Sequence, residues 1–368
     1  MATPFDPYLL PAGQGLRNRL VLAPMTTYSS YDDGTIRESE VEYLRRRAAG
    51  GFGMVMTAAC YVHPSGKAFR GQWSCADDRF LPSLRSVADA IRSEGAFAVL
   101  QIHHGGRQCP SELCGEVPWS ASAVASERPN AETPRAMTEE DVETAIRAYA
   151  DAARRAFEAG YNGVEIHGAN TYLLQQFVSP HSNRRDDRWG QERLAFPLAV
   201  TDAVLEAVPT GYPIGYRFSP EETETPGIRW ADTARLIDAL CTRPLAFLHV
   251  SLRDHRGSSL NEEFDEATLV RAARQIGGRL PLIGVGGVKV LDDAQRVLDL
   301  GADLVALGRI GISDPEWPRH AQSGQPIRTK VPSHNAEEIL TIPAGLAARI
   351  ASVPGWFEVE EATPAEAR

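Results

Sequence analysis

From beginning to end the chain alternates short apolar runs with amphipathic stretches, and this alternation restricts it to folds built on a parallel sheet. The runs are RLVLAPM (19–25), GMVMTAA (53–59), FAVLQIH (97–103), GVEIH (163–167), IGYRFS (214–219), FLHVS (247–251), LIGVG (282–286) and LVALG (304–308). Between them, residues 38–49, 81–93, 139–159, 192–208, 231–240, 265–276 and 292–300 carry apolar side chains at three- and four-residue spacing, as helices with one buried face do. Thr138 before Glu139, Glu140 and Asp141 reads as an N-cap with an acidic first turn. Gly160, Gly277 and Gly301 read as helix C-caps. Eight strand–helix repeats close naturally into an α/β (β/α)8 TIM barrel. The rival, an open doubly wound sheet, calls for a G-x-G-x-x-G turn after its first strand, and none is there.

Two segments exceed the barrel count. Residues 104–137 are rich in Pro, Ser and Gly and follow the third strand on the face where barrels build their sites, so they read as a lid or pocket wall. The barrel is expected over 1–320. A C-terminal extension over 321–368 is expected to pack on the barrel or on a neighbouring subunit, with a frayed end.

Composition narrows the partners. A formal charge of −10 with no basic block argues against nucleic acid and anionic membrane. No window reaches the roughly 20 apolar residues of a membrane span, and the N-terminus lacks a signal-like core, so a cytoplasmic location is expected. The 5 cysteines form no C-x-x-C pair; neither a disulfide scaffold nor a structural metal is expected.

The chemistry sits at the strand ends. His167, Asn170 and Tyr172 follow the fourth strand, and all three side chains can donate hydrogen bonds. Two of them can hold one oxygen while the phenol delivers a proton to a neighbouring atom. The seventh and eighth strands end in Gly286, Gly287, Gly308 and Arg309, where a barrel typically binds phosphate; tight glycine packing is the plainer explanation. Gln101 and His103 end the third strand, Arg217 the fifth, and Pro24 to Tyr28 the first. A flat heterocycle with donors and acceptors along one edge, such as a flavin, suits that set. Each residue also has a structural reading. His167 could bond backbone, Tyr172 could be a core aromatic, Arg217 could pair with Glu165 or Glu221, and Thr26 could cap a turn. Of His103 and His104, one fits the site and the other fits packing under the lid. Arg184–Arg188 reads as a surface charge network, and Trp356 with Phe357 as a subunit anchor or as cover for the barrel base.

The stretches NRLVLAPMTTYSS, QIHHGGR, EIHGANTYLLQQFVSPHSNRRDDRWG, GYRFSP, GVGG and LVALGR, in this order between about residues 18 and 318, resemble the Old Yellow Enzyme family of flavin-dependent ene-reductases. The resemblance implies bound FMN, reduced by NADPH or NADH, and an activated alkene as the small-molecule partner. It implies that Thr26 touches the flavin O4, Gln101 the pyrimidine edge, and Arg217 the N1–O2 region. Backbone at Ala23, Pro24, Met25 and Ala59 would line the ring, and Gly286, Gly287, Gly308 and Arg309 would cradle the phosphate. It makes Tyr28 a substrate-site residue, His167 and Asn170 the pair that binds the carbonyl or nitro oxygen, and Tyr172 the proton donor. A homodimer or homotetramer is implied as well. The start of the chain resembles one branch of the family and the His/Asn pair another. Competing readings are a dienoyl-CoA reductase-like oxidoreductase with another acceptor, an FMN-binding protein without turnover, and a flavin-free aldolase-type barrel. The first would bring clustered cysteines and an extra nucleotide domain, for which the sequence has neither the spacing nor the length; the last would want a Schiff-base lysine or metal carboxylates at strand ends, and no lysine occupies a strand interior.

Overall fold

The computed structural model describes residues 2–360. Among these, eight parallel strands form the barrel: β1 (Leu20–Leu22), β2 (Met54–Met56), β3 (Phe97–His103), β4 (Gly163–Gly168), β5 (Ile214–Phe218), β6 (Phe247–Val250), β7 (Leu282–Val285) and β8 (Leu304–Leu307). Each pairs with its neighbours in chain order, and β8 returns to β1 through Leu307 opposite Leu22, so the sheet closes. The helices α1 (Glu38–Ala49), α2 (Leu81–Ser93), α3 (Glu139–Glu158), α4 (Ala195–Glu206), α5 (Trp230–Leu240), α6 (Thr268–Ile276), α7 (Leu291–Asp299) and α8 (Trp317–Ser323) follow their strands and cover the outside. The expected strands and helices are all present, the largest differences being three residues, at the starts of α4 and α6 and at the ends of β1 and β2. No helix among the described residues is long and apolar enough to cross a membrane.

Strand alternation divides the core in two. Outward residues such as Leu20, Leu22, Val55, Leu100, Ile166, Tyr216 and Leu248 join the helices in one large buried cluster. Inward residues such as Val21, Met54, Met56, Phe97, Val99, Phe247, Ile283 and Leu304 form a separate plug. A two-residue hairpin, Tyr8–Leu9 against Gly15–Leu16, brings Leu10 and Leu16 into that plug. Toward the mouth the inward positions turn polar while staying buried: Gln101, Glu165, His167, Arg217 and His249.

Caps hold the helices where the sequence places them. Thr138 accepts from Asp141 N at 3.2 Å, and the Asp141 carboxylate accepts from Thr138 N at 2.7 Å, closing a reciprocal box at the start of α3. Gly277, at φ +59°, ends α6 in the left-handed conformation that glycine adopts without strain.

The lid segment is ordered rather than a bare loop: Trp119–Ser120 pairs in parallel with Arg135–Ala136. The expected boundary at 320 falls inside α8. Beyond that helix the chain folds back over the mouth. Val331 N donates to Glu358 O and Glu360 N to Val331 O, both at 2.8 Å. The fully buried Arg47 of α1 ties this region down by donating to the carbonyls of Gly311, Ile312 and Leu340. Trp356 and Phe357 thus line the mouth of the barrel, not its base.

Gly215 shows how tightly β5 is set. A Cβ there would overlap the ring of Phe247 on the adjacent strand. Gly215→Ala is expected to cost about 1–3 kcal/mol through overpacking, read as a lowered denaturation midpoint with an unchanged slope. An unaltered midpoint would show that the Phe247 ring moves aside freely.

Candidate active site

The mouth holds a cavity of about 710 Å³ whose wall includes Ala23, Pro24, Met25, Arg217, Gly286, Gly287, Gly308 and Arg309, together with Trp356 and Phe357 from the C-terminal segment. Thr26, Ala59 and Gln101 are not part of that wall. Two features of the cavity suit a ligand. Arg217 is 9% exposed, and its Nε has no hydrogen-bond partner among the described residues. A Cβ on Gly308 would meet nothing nearer than Met25 Sδ at 3.8 Å, so the bare backbone faces open space. Gly286 and Gly287 have φ of +123° and +68°, a backbone in which side chains are strained. A concave wall with a buried cation, bare amides and an apolar flank fits a flat ring with an anionic tail. Arg309 donates from Nη1 to Trp356 O at 3.2 Å, so the C-terminal segment is bonded to the residue expected at the phosphate.

Beside the cavity, β3 and β4 bring three rings together. The His103 and Tyr172 centroids are 4.4 Å apart, His167 and Tyr172 5.0 Å, and His103 and His167 5.4 Å. Phe69 packs edge-on against Tyr172 at 6.2 Å and Tyr28 packs edge-on against Phe69 at 5.8 Å, which joins Tyr28 to the same aromatic wall. The hydrogen bonds assign the tautomers. His167 Nδ1 accepts from Ala169 N at 3.2 Å, leaving Nε2–H as its donor. Gln72 Nε2, which also donates to Ala59 O, donates to His103 Nδ1 at 3.1 Å. His103 Nε2–H is therefore a buried donor without a partner among the described residues. His104 is the histidine under the lid: its ring stacks on Trp119, its Nε2 meets Ser65 Oγ at 3.0 Å, and its Nδ1 accepts from Gly106 N.

Asn170 lies differently from His167. Its carboxamide oxygen accepts from Ser251 Oγ at 2.9 Å, Ser251 Oγ accepts from Arg217 Nη2 at 3.2 Å, and Asn170 lines a neighbouring cavity of about 570 Å³ between the β4, β5 and β6 loops. Arg217 faces both cavities and forms no ion pair with Glu165 or Glu221. Asn170 and Thr171 have φ of +59° and +63°. For a β-branched threonine this conformation costs roughly 1–2 kcal/mol. It is held by Gln175 Oε1 on Thr171 N, Gln176 Nε2 on Thr171 O, and Gln108 Nε2 on Thr171 Oγ1, the last reaching from the lid. Strain held this firmly beside a cavity is a usual mark of a functional turn.

Burial sets the charges. It pushes His103 down to about 3 and His167 well below the ordinary histidine value, with neighbouring His103 and Arg217 adding to the latter, so both rings are neutral donors at pH 7. Burial raises the Tyr172 phenol to about 12, keeping it protonated. Glu165, His249, Gln72 and Phe69 do not stand out in the sequence as site residues. For the first two a signal exists: Glu165 is two residues before His167 on β4, and His249 is two before Ser251, so each shares the inward face with a strand-end polar group. Within Arg184–Arg188, expected as a surface charge network, Arg188 pairs with Glu139 on the surface, whereas Arg185 is largely buried, pairing with Asp187 and donating to the carbonyls of Ala121 and Met137.

Residues 5–328 match the sequence pattern of the NADH:flavin oxidoreductase / NADH oxidase family. This chain belongs to that family, the Old Yellow Enzymes. It is 42% identical over 367 residues to the probable NADH-dependent flavin oxidoreductase YqiG of Bacillus subtilis, covering 97% of this chain and 98% of YqiG. It is also 42% identical over 353 residues to the NADH:fumarate oxidoreductase of Klebsiella pneumoniae, covering 93% of this chain but 38% of that larger protein. Morphinone reductase superposes with a TM-score of 0.78 at 26% identity, over 89% of this chain and 91% of its own. The protein is accordingly an NAD(P)H-dependent oxidoreductase with FMN as its cofactor.

The neutral histidines predict an acid-sensitive fold. Their folded-state values lie below the unfolded value near 6.5, so the unfolded chain binds more protons as pH falls. Their contribution is complete above about pH 6.5 and is lost on the way down, for His103 toward about pH 3. Denaturant titrations at pH 7 and pH 5 are expected to show stability falling by up to about 1.4 kcal/mol per unit for each such histidine. His103→Gln should flatten that slope; the same slope in the variant would show His103 to be protonated without cost.

Proposed function

We propose that this protein reduces carbon–carbon double bonds conjugated to a carbonyl or nitro group, with Tyr172 as proton donor. The observation that carries the reading is the packing of the His103, His167 and Tyr172 rings against one another, with His103 Nε2–H a buried donor without a partner among the described residues and His167 next to Arg217 of the cavity wall in the strand register. The residues around the mouth would hold FMN, which, reduced by NADPH or NADH, would supply hydride chemistry at the β-carbon. His167 Nε2–H holds the substrate's carbonyl or nitro oxygen, and Asn170 offers its amide N–H from the other side because its oxygen is already bonded to Ser251. Negative charge develops on that oxygen during reduction, so fixed donors favour the transition state over the ground state. A neutral imidazole suits this role because its N–H bond to the oxygen strengthens as charge grows, while that N–H is too weakly acidic to be given up. Tyr172 stays protonated at neutral pH and delivers its proton to the α-carbon, a far stronger base than the phenolate it leaves. Tyr28 and Phe69 would close the apolar side of the pocket. Thr26 and Gln101 are assigned to the flavin edge by resemblance. The same resemblance suggests a homodimer or homotetramer.

A second reading rests on the larger relatives. The chain spans 38% of NADH:fumarate oxidoreductase and 33% of the NADH:acrylate oxidoreductase of Vibrio harveyi. A barrel of this kind therefore also occurs as one part of longer NADH oxidoreductases. On that reading the barrel oxidises the nicotinamide and passes electrons to an acceptor that does not occupy the His167 site.

Anaerobic absorbance of the FMN-loaded protein separates the two. Bleaching by NADPH or NADH, then recovery of colour with 2-cyclohexenone, is expected for alkene reduction. Bleaching that only an artificial acceptor reverses would favour the second reading. Tyr172→Phe should leave the nicotinamide step within a few-fold and slow the alkene step by about 10²–10⁴. Equal losses in both half-reactions would remove Tyr172 from the donor role. His167→Ala is expected to abolish the long-wavelength absorbance change produced by a phenol ligand, whose phenolate oxygen imitates the developing anion; an unchanged titration would count against His167 as the oxygen anchor.

A further inference from the structure

Below the mouth, the barrel contains an ionisable cluster that the alkene chemistry does not use. Glu165 is wholly buried on β4 and accepts from Gln101 Nε2 and from His249 Nδ1, each at 2.7 Å. Strand register fixes its depth. Gln101 lies opposite Glu165, and Gly215 lies opposite it on the other side, whereas Arg217 stands opposite His167 and His249, one step nearer the mouth. Gly215 leaves that layer without a side chain of its own, so the carboxylate sits inside the barrel beneath the level of Arg217. Arg217 in turn lines the flavin cavity.

A buried carboxylate without partners would take up a proton, because desolvation costs several kcal/mol per ion. Here burial acts in that direction, but His249 and Arg217, with the Gln101 hydrogen bond, outweigh it and hold Glu165 below the usual carboxylate range. His249 is neutral: burial lowers its value, Nδ1–H faces the carboxylate, and Nε2 has no partner among the described residues. Gln101 gives one amide N–H to Glu165, which fixes the carboxamide and leaves its oxygen and second N–H without a bond to that carboxylate.

We propose that Glu165 is a positioning residue of the flavin site, a permanent anion inside the barrel that orients Gln101 and offsets the field of Arg217, thereby setting the reduction potential of bound FMN. The sign follows from charge. Reduction adds negative charge to the flavin, which Arg217 favours and Glu165 opposes. Removing the anion leaves Arg217 uncompensated, so reduced FMN gains affinity relative to oxidised FMN and the potential rises. The inference rests on the FMN site alone and stands or falls independently of alkene reduction.

The test is the midpoint potential of the FMN-loaded protein by anaerobic spectroelectrochemistry, with FMN affinity measured alongside. Glu165→Gln is expected to raise the ratio of reduced to oxidised FMN affinity about ten-fold, an upward shift of about 30 mV for a two-electron couple. Glu165→Asp, which restores the charge, should return the potential to within two-fold of the parent ratio. His249→Gln, which keeps the carboxylate, should leave it there too. In a Glu165→Gln, His249→Gln double variant the two amides can satisfy one another, which preserves the fold if the single change does not, and the same upward shift is expected. A potential unchanged when the charge is removed, or an equal shift in His249→Gln, would overturn the proposal and reduce Glu165 to a packing role.

Discussion

The structure depends on the two-residue period of eight parallel strands closed on themselves. Once the ring closes, every second side chain must point into a space too narrow for solvent. At the lower end this space is filled by apolar groups and stoppered by Leu10 and Leu16. At the upper end the same period places Gln101, Glu165, His167, Arg217 and His249 inside. A polar layer in such a place is stable only if its groups satisfy one another or a ligand. Glu165, Gln101 and His249 do the first. Arg217 Nε and His103 Nε2, like the far nitrogen of His249, have no partner among the described residues, and of the three it is Arg217 that lines the cavity at the mouth.

The loops above the barrel then complete what the strands begin. The turn after β4 is forced into left-handed geometry at Asn170 and Thr171, and bonds from Gln108, Gln175 and Gln176 hold it there. That turn sends Tyr172 back onto the histidines and Asn170 toward Ser251. The C-terminal segment walls the mouth, while the lid braces the β4 turn through Gln108; the lid and the C-terminal segment are each tied down by an arginine. The lid is locked through Arg107, which donates to the carbonyls of Val124 and Ala125, and the C-terminal segment through the Arg309 bond to Trp356. The site is thus assembled from distant parts of the chain, with the rigid sheet supplying depth and the loops supplying closure.

Much of this is legible in the sequence, for identifiable reasons. Strand and helix positions follow from apolar periodicity, which local sequence carries directly; β3 and α1 have the expected ends. The glycines at 286 and 308 and the cation at 217 can be read from their strand-end positions alone. Glu165 and His249 are less visible because an acidic or imidazole group within an apolar run is ambiguous until the opposite strand is known. Their meaning comes from each other, 84 positions apart, across the barrel interior.

The sequence by itself determined the eightfold alternation, the strand ends that carry polar groups, and the family to which these motifs belong, because each of these is encoded over a few neighbouring residues. Only the tertiary structure decided that His103 rather than His104 faces the site, that Asn170 turns to the β5–β6 side, and that Trp356 covers the mouth rather than the base. Those outcomes depend on which buried donors find acceptors across the closed barrel, a question of three-dimensional satisfaction that no local pattern can answer.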